Sequence, residues 1–332
     1  MAAVAARGGA LEAEALEALR GKPALYHCIS RVVDRRFVFG TREKEKFVGL
    51  MRAYERFCQV RVLAFCVMSN HFHLLLEVPA APEDRGDSWS DEELLKHLSC
   101  LYSGPKLAEI RWWLEHFRSQ KNHAGAEQLR ESFFRRMWDL SQFMKSLKQC
   151  FARWFNALHE RRGTLWEERF KSVLVEDGEA ARVMAAYIDL NPVRARMVDD
   201  PKHYRWCSYG EAVAGKKRSR EGLQRVMAES QASRSGGHQA AALLMSWKQA
   251  AARYRQVLYA DPEGGGPDHA GAPRRSEHQA LRGRMRHASE GMAIGLPTFI
   301  ERIFGWSRQR FGPQRKTGAR RLRHIDTPLR TL

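Results

Sequence analysis

Two apolar runs joined by a turn-forming pair constrain the fold more than any other feature. The runs VRVLAFCVMS and HFHLLLEVP span residues 60–69 and 71–79, and Ser69 and Asn70 lie at their junction. Apolar and β-branched residues of this length, interrupted by a turn-type pair, are typical of two strands joined in a hairpin. The sequence therefore predicts an antiparallel β-hairpin.

The elements around the hairpin predict the fold class. Residues 24–33 resemble a strand, residues 41–60 a helix, 139–160 a strongly amphipathic helix, 163–177 a strand, and 178–190 a helix that stops at Asn191. The order is strand, helix, strand, strand, helix, strand, helix. This order predicts an α+β, ferredoxin-like (RRM-like) domain with helices on one face of a mainly antiparallel sheet.

Shifts in composition divide the chain into segments. The predicted segments are a disordered N-terminus at 1–21, a main domain at 22–212 with a helical insertion at about 80–137, a helical extension at 213–260, a flexible linker at 261–277, and a basic C-terminal region at 278–332.

The charge of the chain indicates its partner. The 332 residues carry a formal net charge of +18. Such a field attracts polyanions, of which nucleic acid is the commonest, although a basic solvated surface is the alternative. A membrane surface is less favoured, because no basic amphipathic helix stands alone.

The cysteines and the N-terminus bear on the compartment. The six cysteines form no C-x-x-C pair, which argues against a structural zinc site and a disulfide framework. The first residues contain no signal peptide, because acidic residues interrupt them. We therefore expect a cytoplasmic, nucleoid-associated protein.

His71 and His73 are candidate metal ligands. Residues two apart on a strand point to the same side, about 6.5–7 Å apart at Cα. Two imidazoles on one face can share a divalent metal ion, while Phe72 faces the core. The plain alternative is a pair of surface histidines on a half-buried strand.

Tyr187 and Asn191 form a second candidate pair. They lie four residues apart on a predicted helix, so the phenol and the carboxamide share a face. Tyr187 could equally be a core residue, and Asn191 could be the N-cap of a next short helix that has Pro192 at its first position.

Several motifs together resemble a known family. The segments YHCISR, MSNHFHLLLEVP, FMKSLKQCFARWFN, GTLWEERFKS, YIDLNPVRARMV and YRWCSY occur in this order. They resemble the REP-associated tyrosine transposases, which belong to the single-tyrosine HUH transposases. The resemblance covers roughly residues 22–80 and 138–212. Ser69 stands where the family more often has proline or alanine, and residues 80–137 are longer than in compact members.

The resemblance implies a mechanism. His71 and His73 would bind Mg²⁺ or Mn²⁺, with Asn191 in the place of a third ligand. Tyr187 would attack the scissile phosphate and form a 5′-phosphotyrosine link. The implied substrate is single-stranded or hairpin DNA of the REP type.

Basic side chains are candidate DNA contacts. Arg169 and Lys171 flank Phe170 and would share one face of a strand. The alternative is an ordinary edge strand whose polar face is solvated. Arg194 or Lys171 could favour the phenolate of Tyr187. The C-terminal region adds candidate phosphate contacts, or is a solubilising tail; its candidates are Arg308, Arg310, Arg320 and Arg321.

The same residues also fit other functions. A domesticated, non-catalytic regulator that binds DNA or RNA hairpins would keep the same fold. A water-using metal hydrolase, a replication initiator or a relaxase could use related residues. His27 could be a general base, although a core histidine is favoured. The chain could act as a monomer or as a homodimer, with Tyr187 used in cis or in trans.

Overall fold

The computed structural model describes residues 23–84, 88–228, 245–259, 291–322 and 328–332. The predicted segments 1–21 and 261–277 lie outside the described residues. The strands are β1 (Ala24–Arg31), β2 (Arg61–Val67), β3 (His71–Val78), β4 (Lys171–Val175), β5 (Ala293–Gly295), β6 (Arg320–Arg321) and β7 (Arg330–Thr331). The helices are α1 (Thr41–Phe57), α2 (Asp91–Leu98), α3 (Gly104–Ser119), α4 (His123–Phe134), α5 (Leu140–Leu158), α6 (Glu179–Asp189), α7 (Asn191–Arg194), α8 (Ser208–Val213), α9 (Lys217–Met227), α10 (Trp247–Tyr259) and α11 (Pro297–Trp306).

Strands β1 to β4 form the centre of the sheet. Their order is β2-β3-β1-β4, and all three pairings among them are antiparallel. Helix α1 connects β1 to β2, α5 precedes β4, and these two helices pack against each other. This is the ferredoxin-like arrangement, so the predicted α+β class, the hairpin and the mainly antiparallel sheet are confirmed.

The C-terminal part of the chain extends the sheet. Strand β5 pairs with β4 in parallel, β7 pairs with β5, and β6 forms the outer edge, so the full order is β2-β3-β1-β4-β5-β7-β6. Each of these added strands has only two or three residues. Strands this short carry no alternation that the sequence could reveal.

Helices cover both faces of the sheet, which corrects the expectation that they lie on one face. Phe72, Leu74 and Leu76 of β3 pack on the side of α1 and α5. Leu75 lies on the other side, in a second core that includes residues of α6, α8, α9 and α10. The central strands are continuous apolar runs, as is typical of strands buried on both faces.

The insertion between β3 and α5 consists of helices α2, α3 and α4. Its buried side chains, among them Leu94, Leu114 and Phe134, join the core on the α1 side. Ser90 and Glu93 cap the first of these helices reciprocally.

Among the described residues, no helix has both the length and the apolar character needed to cross a bilayer.

Candidate active site

The two strand histidines lie on the face of the sheet that α6 covers. His73 pairs across the ladder with Ile29, and His71 pairs with Arg31 at the end of β1. The two rings share a face as predicted, with centroids 5.1 Å apart. His73 is only 4% exposed, so it lies beneath the second helical layer, whereas His71 remains half-buried.

Asn70 determines the tautomer of His71. Its side-chain nitrogen Nδ2 donates a hydrogen bond to the carbonyl oxygen of Arg35 at 2.7 Å. Its oxygen Oδ1 therefore faces Nδ1 of His71, 2.6 Å away. A carboxamide oxygen can only accept, so Nδ1 of His71 is the donor, and in the neutral ring the lone pair lies on Nε2. This is the form in which an imidazole can bind a metal ion through Nε2.

His27 fixes the ring of His73. Nε2 of His27 lies 3.0 Å from Nδ1 of His73, and the two rings stack with an interplanar angle of 6°. Both side chains are buried. Burial, followed by the neighbouring His71 and His27, holds the pKa of His73 well below its usual range. His73 is therefore a neutral imidazole, as metal ligation requires.

Tyr187 projects from α6 against the same histidines. Its ring meets those of His73 and His27 edge to face, with centroids 6.1 and 6.2 Å apart. The side chain is 3% exposed. Helix α6 thus brings the predicted nucleophile beside His73, one of the predicted metal ligands, within one chain.

Arg194 reaches back to Tyr187 from α7. Its guanidinium carbon lies 4.0 Å from the centroid of the phenol ring, and Nη2 donates to the carbonyl oxygen of Tyr187 at 2.6 Å. Burial lowers the pKa of Arg194, and the proximity of Tyr187 acts in the opposite direction. A positive charge over this ring would favour a developing phenolate.

Asn191 does not cap the next helix through its side chain. Leu190 is the N-cap residue, and Asn191 is the first residue of α7. The Asn191 nitrogen Nδ2 donates to the carbonyl oxygens of Tyr187 and Ile188 at 3.2 and 3.1 Å. These carbonyls end α6 and would otherwise lack helical partners. The amide nitrogen is thereby oriented, and Oδ1 is the atom that could serve as a ligand.

The predicted ligands are chemically compatible with a divalent metal ion. In the part of the chain that the structure describes, no group of three or more His, Cys, Asp or Glu side chains is arranged to hold a metal. The available donors are the imidazoles of His71 and His73 and the carboxamide oxygen of Asn191. Such a set suits Mn²⁺ better than Mg²⁺, and it leaves positions open for phosphate oxygens.

Basic residues gather at the end of the sheet where His71 lies. Lys171 begins β4 and pairs with Ile29, which also pairs with His73. Two strand spacings, about 9–10 Å, therefore separate the backbones of Lys171 and His73. The exposed Arg169 precedes the strand, and Phe170 packs into the opposite core.

The four C-terminal arginines differ in their surroundings. The Arg308 guanidinium donates to the carbonyl oxygens of Phe311, Gly312 and Pro313, so it holds a turn together. Arg310 is exposed, and so are Arg320 and Arg321 on the edge strand β6. That edge lies three strand spacings, about 14 Å, from β4.

Asp189 is a buried group near the site that the sequence did not single out. It accepts hydrogen bonds from the Ser208 hydroxyl at 2.7 Å, the Tyr209 amide at 3.0 Å and the Tyr254 hydroxyl at 2.6 Å. Burial raises its pKa to about 6, and these hydrogen bonds oppose the shift. The network ties α6 to α8 and α10. A carboxylate at the last residue of a helix carries no sequence signal for such distant partners.

Comparisons with known proteins bear on the same segment. Residues 22–83, which contain β1 to β3 and both strand histidines, match the family model described as "Transposase IS200 like". The resemblance found in the sequence motifs is confirmed for these residues. A solved structure of a REP-associated tyrosine transposase bound to a REP hairpin is similar at 14% identity and a TM-score of 0.37, over 59% of this chain and 81% of that one. No curated protein matches the chain significantly.

Proposed function

We propose that this chain is a metal-dependent, single-tyrosine transposase that cleaves and rejoins single-stranded or hairpin DNA. One observation carries the proposal: Tyr187 meets His73 and His27 in one buried cluster. Both histidines belong to the segment that matches the transposase family model. The charge of +18 supports a nucleic-acid substrate.

The metal site would be built from His71, His73 and Asn191. The Nε2 atoms of the two histidines and the Oδ1 atom of Asn191 would hold Mn²⁺ or Mg²⁺. When bound, such an ion polarises a phosphate and offsets the charge that develops in the transition state. His27 holds the ring of His73, and Asn70 holds that of His71. This support orients both imidazoles.

Tyr187 would supply the nucleophile. Its hydroxyl oxygen attacks the scissile phosphorus, so a tyrosine–phosphorus bond forms and the bond to the preceding 3′-oxygen breaks. The phenol gives up one proton and the leaving 3′-oxygen takes one up, so the exchange is balanced. Arg194 lies over the ring, where its charge would stabilise the phenolate. A later attack by a 3′-hydroxyl would reverse the step and rejoin the strand.

Within one chain Tyr187 already lies beside His73, which favours use of the tyrosine in cis and a monomer as the smallest active unit; a homodimer could contain two such sites. Mixing a His71→Ala protein with a Tyr187→Phe protein tests this arrangement. Restored cleavage in the mixture would establish use in trans instead.

The exposed arginines and lysines would hold the phosphate backbone. Arg169 and Lys171 lie near the sheet end at which β3 begins, whereas Arg320 and Arg321 lie on the far edge strand and Arg310 is exposed after α11. We assign the first group to the strand that is cut and the second to the hairpin stem. These contacts would be salt-dependent and independent of sequence.

A non-catalytic hairpin-binding regulator is the second candidate function. The observation that favours it is the burial of Tyr187, at 3% exposure, since a phosphate must displace neighbouring side chains to reach the phenol. Such a protein would bind hairpin DNA or RNA with strong salt dependence and would form no covalent adduct.

A denaturing gel of 5′- and 3′-labelled hairpin DNA with Mn²⁺ tests the first proposal. The wild type should become linked to the new 5′ end of the downstream fragment and therefore carry the 3′ label, and Tyr187→Phe should form no adduct while binding the hairpin with unchanged affinity. Tyr26→Phe, a buried tyrosine on the opposite face of the sheet, is the matched control and should form the adduct. Cleavage that survives in Tyr187→Phe would exclude Tyr187 as the nucleophile. Tight binding without any adduct in the wild type would support the regulator.

A further inference from the structure

Phe37 has the most exposed large apolar side chain in the described part of the chain. It is 82% exposed, and it lies in residues 33–38, which we call the Phe37 loop. Arg35 and Arg36 precede it and are exposed as well. The ring therefore stands beside two guanidinium groups at the surface, an arrangement that suits nucleic acid.

The Phe37 loop is held in a fixed conformation. Asp34 and Arg35 adopt left-handed backbone angles, with φ of 56° and 55°, which non-glycine residues keep only where their surroundings enforce it. The amides of Val38 and Phe39 both donate to the carbonyl oxygen of Ser69, at 3.0 and 2.9 Å.

The same loop is connected to the candidate metal site. The carbonyl oxygen of Arg35 accepts the hydrogen bond from Asn70, and Asn70 in turn orients His71. The Phe37 loop and the turn that presents a proposed metal ligand are therefore hydrogen-bonded to each other on both sides of Phe37.

A cleft opens beside the Phe37 loop. Its volume is about 320 Å³, at the small end of ligand sites, which span about 300 to 1,000 Å³. Its lining combines apolar side chains with basic ones; these are Val32, Val33, Val38 and Phe155, with Arg36, His159 and Arg161. The Arg161 guanidinium donates to the Thr164 carbonyl oxygen at 3.2 Å, and its fork has further donors.

We propose that the Phe37 loop and this cleft bind one unpaired nucleotide of the DNA strand next to the scissile phosphate. Its base stacks on the ring of Phe37, and its phosphate contacts Arg36 and Arg161. An aromatic platform beside guanidinium groups is the usual means of binding single-stranded nucleic acid without strict sequence preference. The inference rests on the proposed function for its substrate class, and its binding step needs neither metal nor Tyr187.

An abasic walk tests the proposal. The probe is a DNA hairpin with a single-stranded flank in which each nucleotide in turn lacks its base, and affinity is measured with metal chelated. In the wild type, one flank position should weaken binding by about 5- to 150-fold when abasic. Phe37→Ala should bind the intact probe more weakly by a similar factor. Removing the base at the sensitive position should then weaken its binding no further, whereas Phe37→Trp should retain the wild-type pattern. A hairpin without a flank should bind Phe37→Ala and wild type equally.

The control variant is Trp112→Ala, which removes another exposed aromatic ring, in α3. It should leave the abasic pattern unchanged. If the loss of affinity from Phe37→Ala and the loss from an abasic nucleotide add up at every flank position, the inference is overturned. It is overturned as well if Trp112→Ala changes the abasic pattern and Phe37→Ala does not. The covalent-adduct assay is scored separately. If the wild type forms the adduct but Phe37→Ala leaves the abasic pattern unchanged, only the nucleotide site is refuted. If Phe37→Ala removes the abasic effect but the wild type forms no adduct, only the catalytic proposal is refuted.

Discussion

The ring nitrogens of His27 and His73 lie 3.0 Å apart in a fully buried pair. The residues belong to adjacent strands and are separated by 46 positions. For Nε2 of His73 to bind a metal ion, its Nδ1 must donate to His27. His27 is therefore a positioning residue, one step removed from the proposed ligand.

His27→Ala should weaken Mn²⁺ binding by about 10- to 100-fold, the usual effect of losing a hydrogen-bond partner behind a metal ligand. Isothermal titration of Mn²⁺ without DNA measures this directly. His27→Gln, whose amide oxygen can accept from His73, should recover part of the loss. His116→Ala, on the surface of the insertion, should change nothing. An unaltered affinity in His27→Ala would remove His27 from this role.

Arg194→Ala should lower the free energy of unfolding by about 2–3 kcal/mol, since it removes a cation–π contact and a charged hydrogen bond. Adduct formation should slow as well, because the phenolate loses its neighbouring charge. Arg194→Lys restores the charge without the planar fork and should be intermediate in both measurements. Arg196→Ala, an exposed neighbour, is the control for urea denaturation and for the gel. Equal adduct rates in all three variants would refute the electrostatic role.

Tyr254→Phe should lower the free energy of unfolding by about 1.5–3 kcal/mol, because Asp189 loses a buried hydrogen-bond donor 2.6 Å away. Tyr259→Phe loses a bond of the same length to Asp200, but at a half-buried position. In urea denaturation, Tyr259→Phe should therefore lower the free energy of unfolding by less than Tyr254→Phe does. The reverse order would mean that burial does not set the strength of these two bonds.

Replacing Arg320 and Arg321 together by glutamine should reduce the salt dependence of hairpin binding. Each lost phosphate contact lowers the slope of log affinity against log salt by about 0.7–0.9, so the double variant should lose about 1.5. Arg308→Gln breaks only bonds within the protein and should leave the slope unchanged. A slope that falls only for Arg308→Gln would reverse the assignment of these side chains.

Lys148 predicts a pH dependence of stability. Burial lowers its pKa to about 8, while the unfolded chain keeps a value near 10.4. Between these values the unfolded state binds more protons, so stability rises with pH. Relative to Lys148→Met, the wild type should gain about 2 kcal/mol in free energy of unfolding between pH 8 and pH 10. Lys145→Met, exposed on the same helix, should show no such change.

The central fold follows from the sequence because its patterns are local. Helical spacing in α1 and α5, and the turn at Ser69, suffice for the ferredoxin-like order. The second helical layer could have been inferred from the continuous apolar runs around Leu75, since an exposed face would alternate with polar residues. The partnership of His27 with His73 depends on strand register, which spacing along the chain does not reveal.

The late strands have a consequence for the biogenesis of the chain. β4 ends at residue 175, but its outer neighbour β5 begins only at residue 293. Until that part emerges from the ribosome, the unpaired edge of β4 is open to any other extended chain. Contacts across such a sequence separation form slowly. The short C-terminal strands therefore cover this edge only late in synthesis. Shortening the chain before residue 293 should favour its aggregation during synthesis.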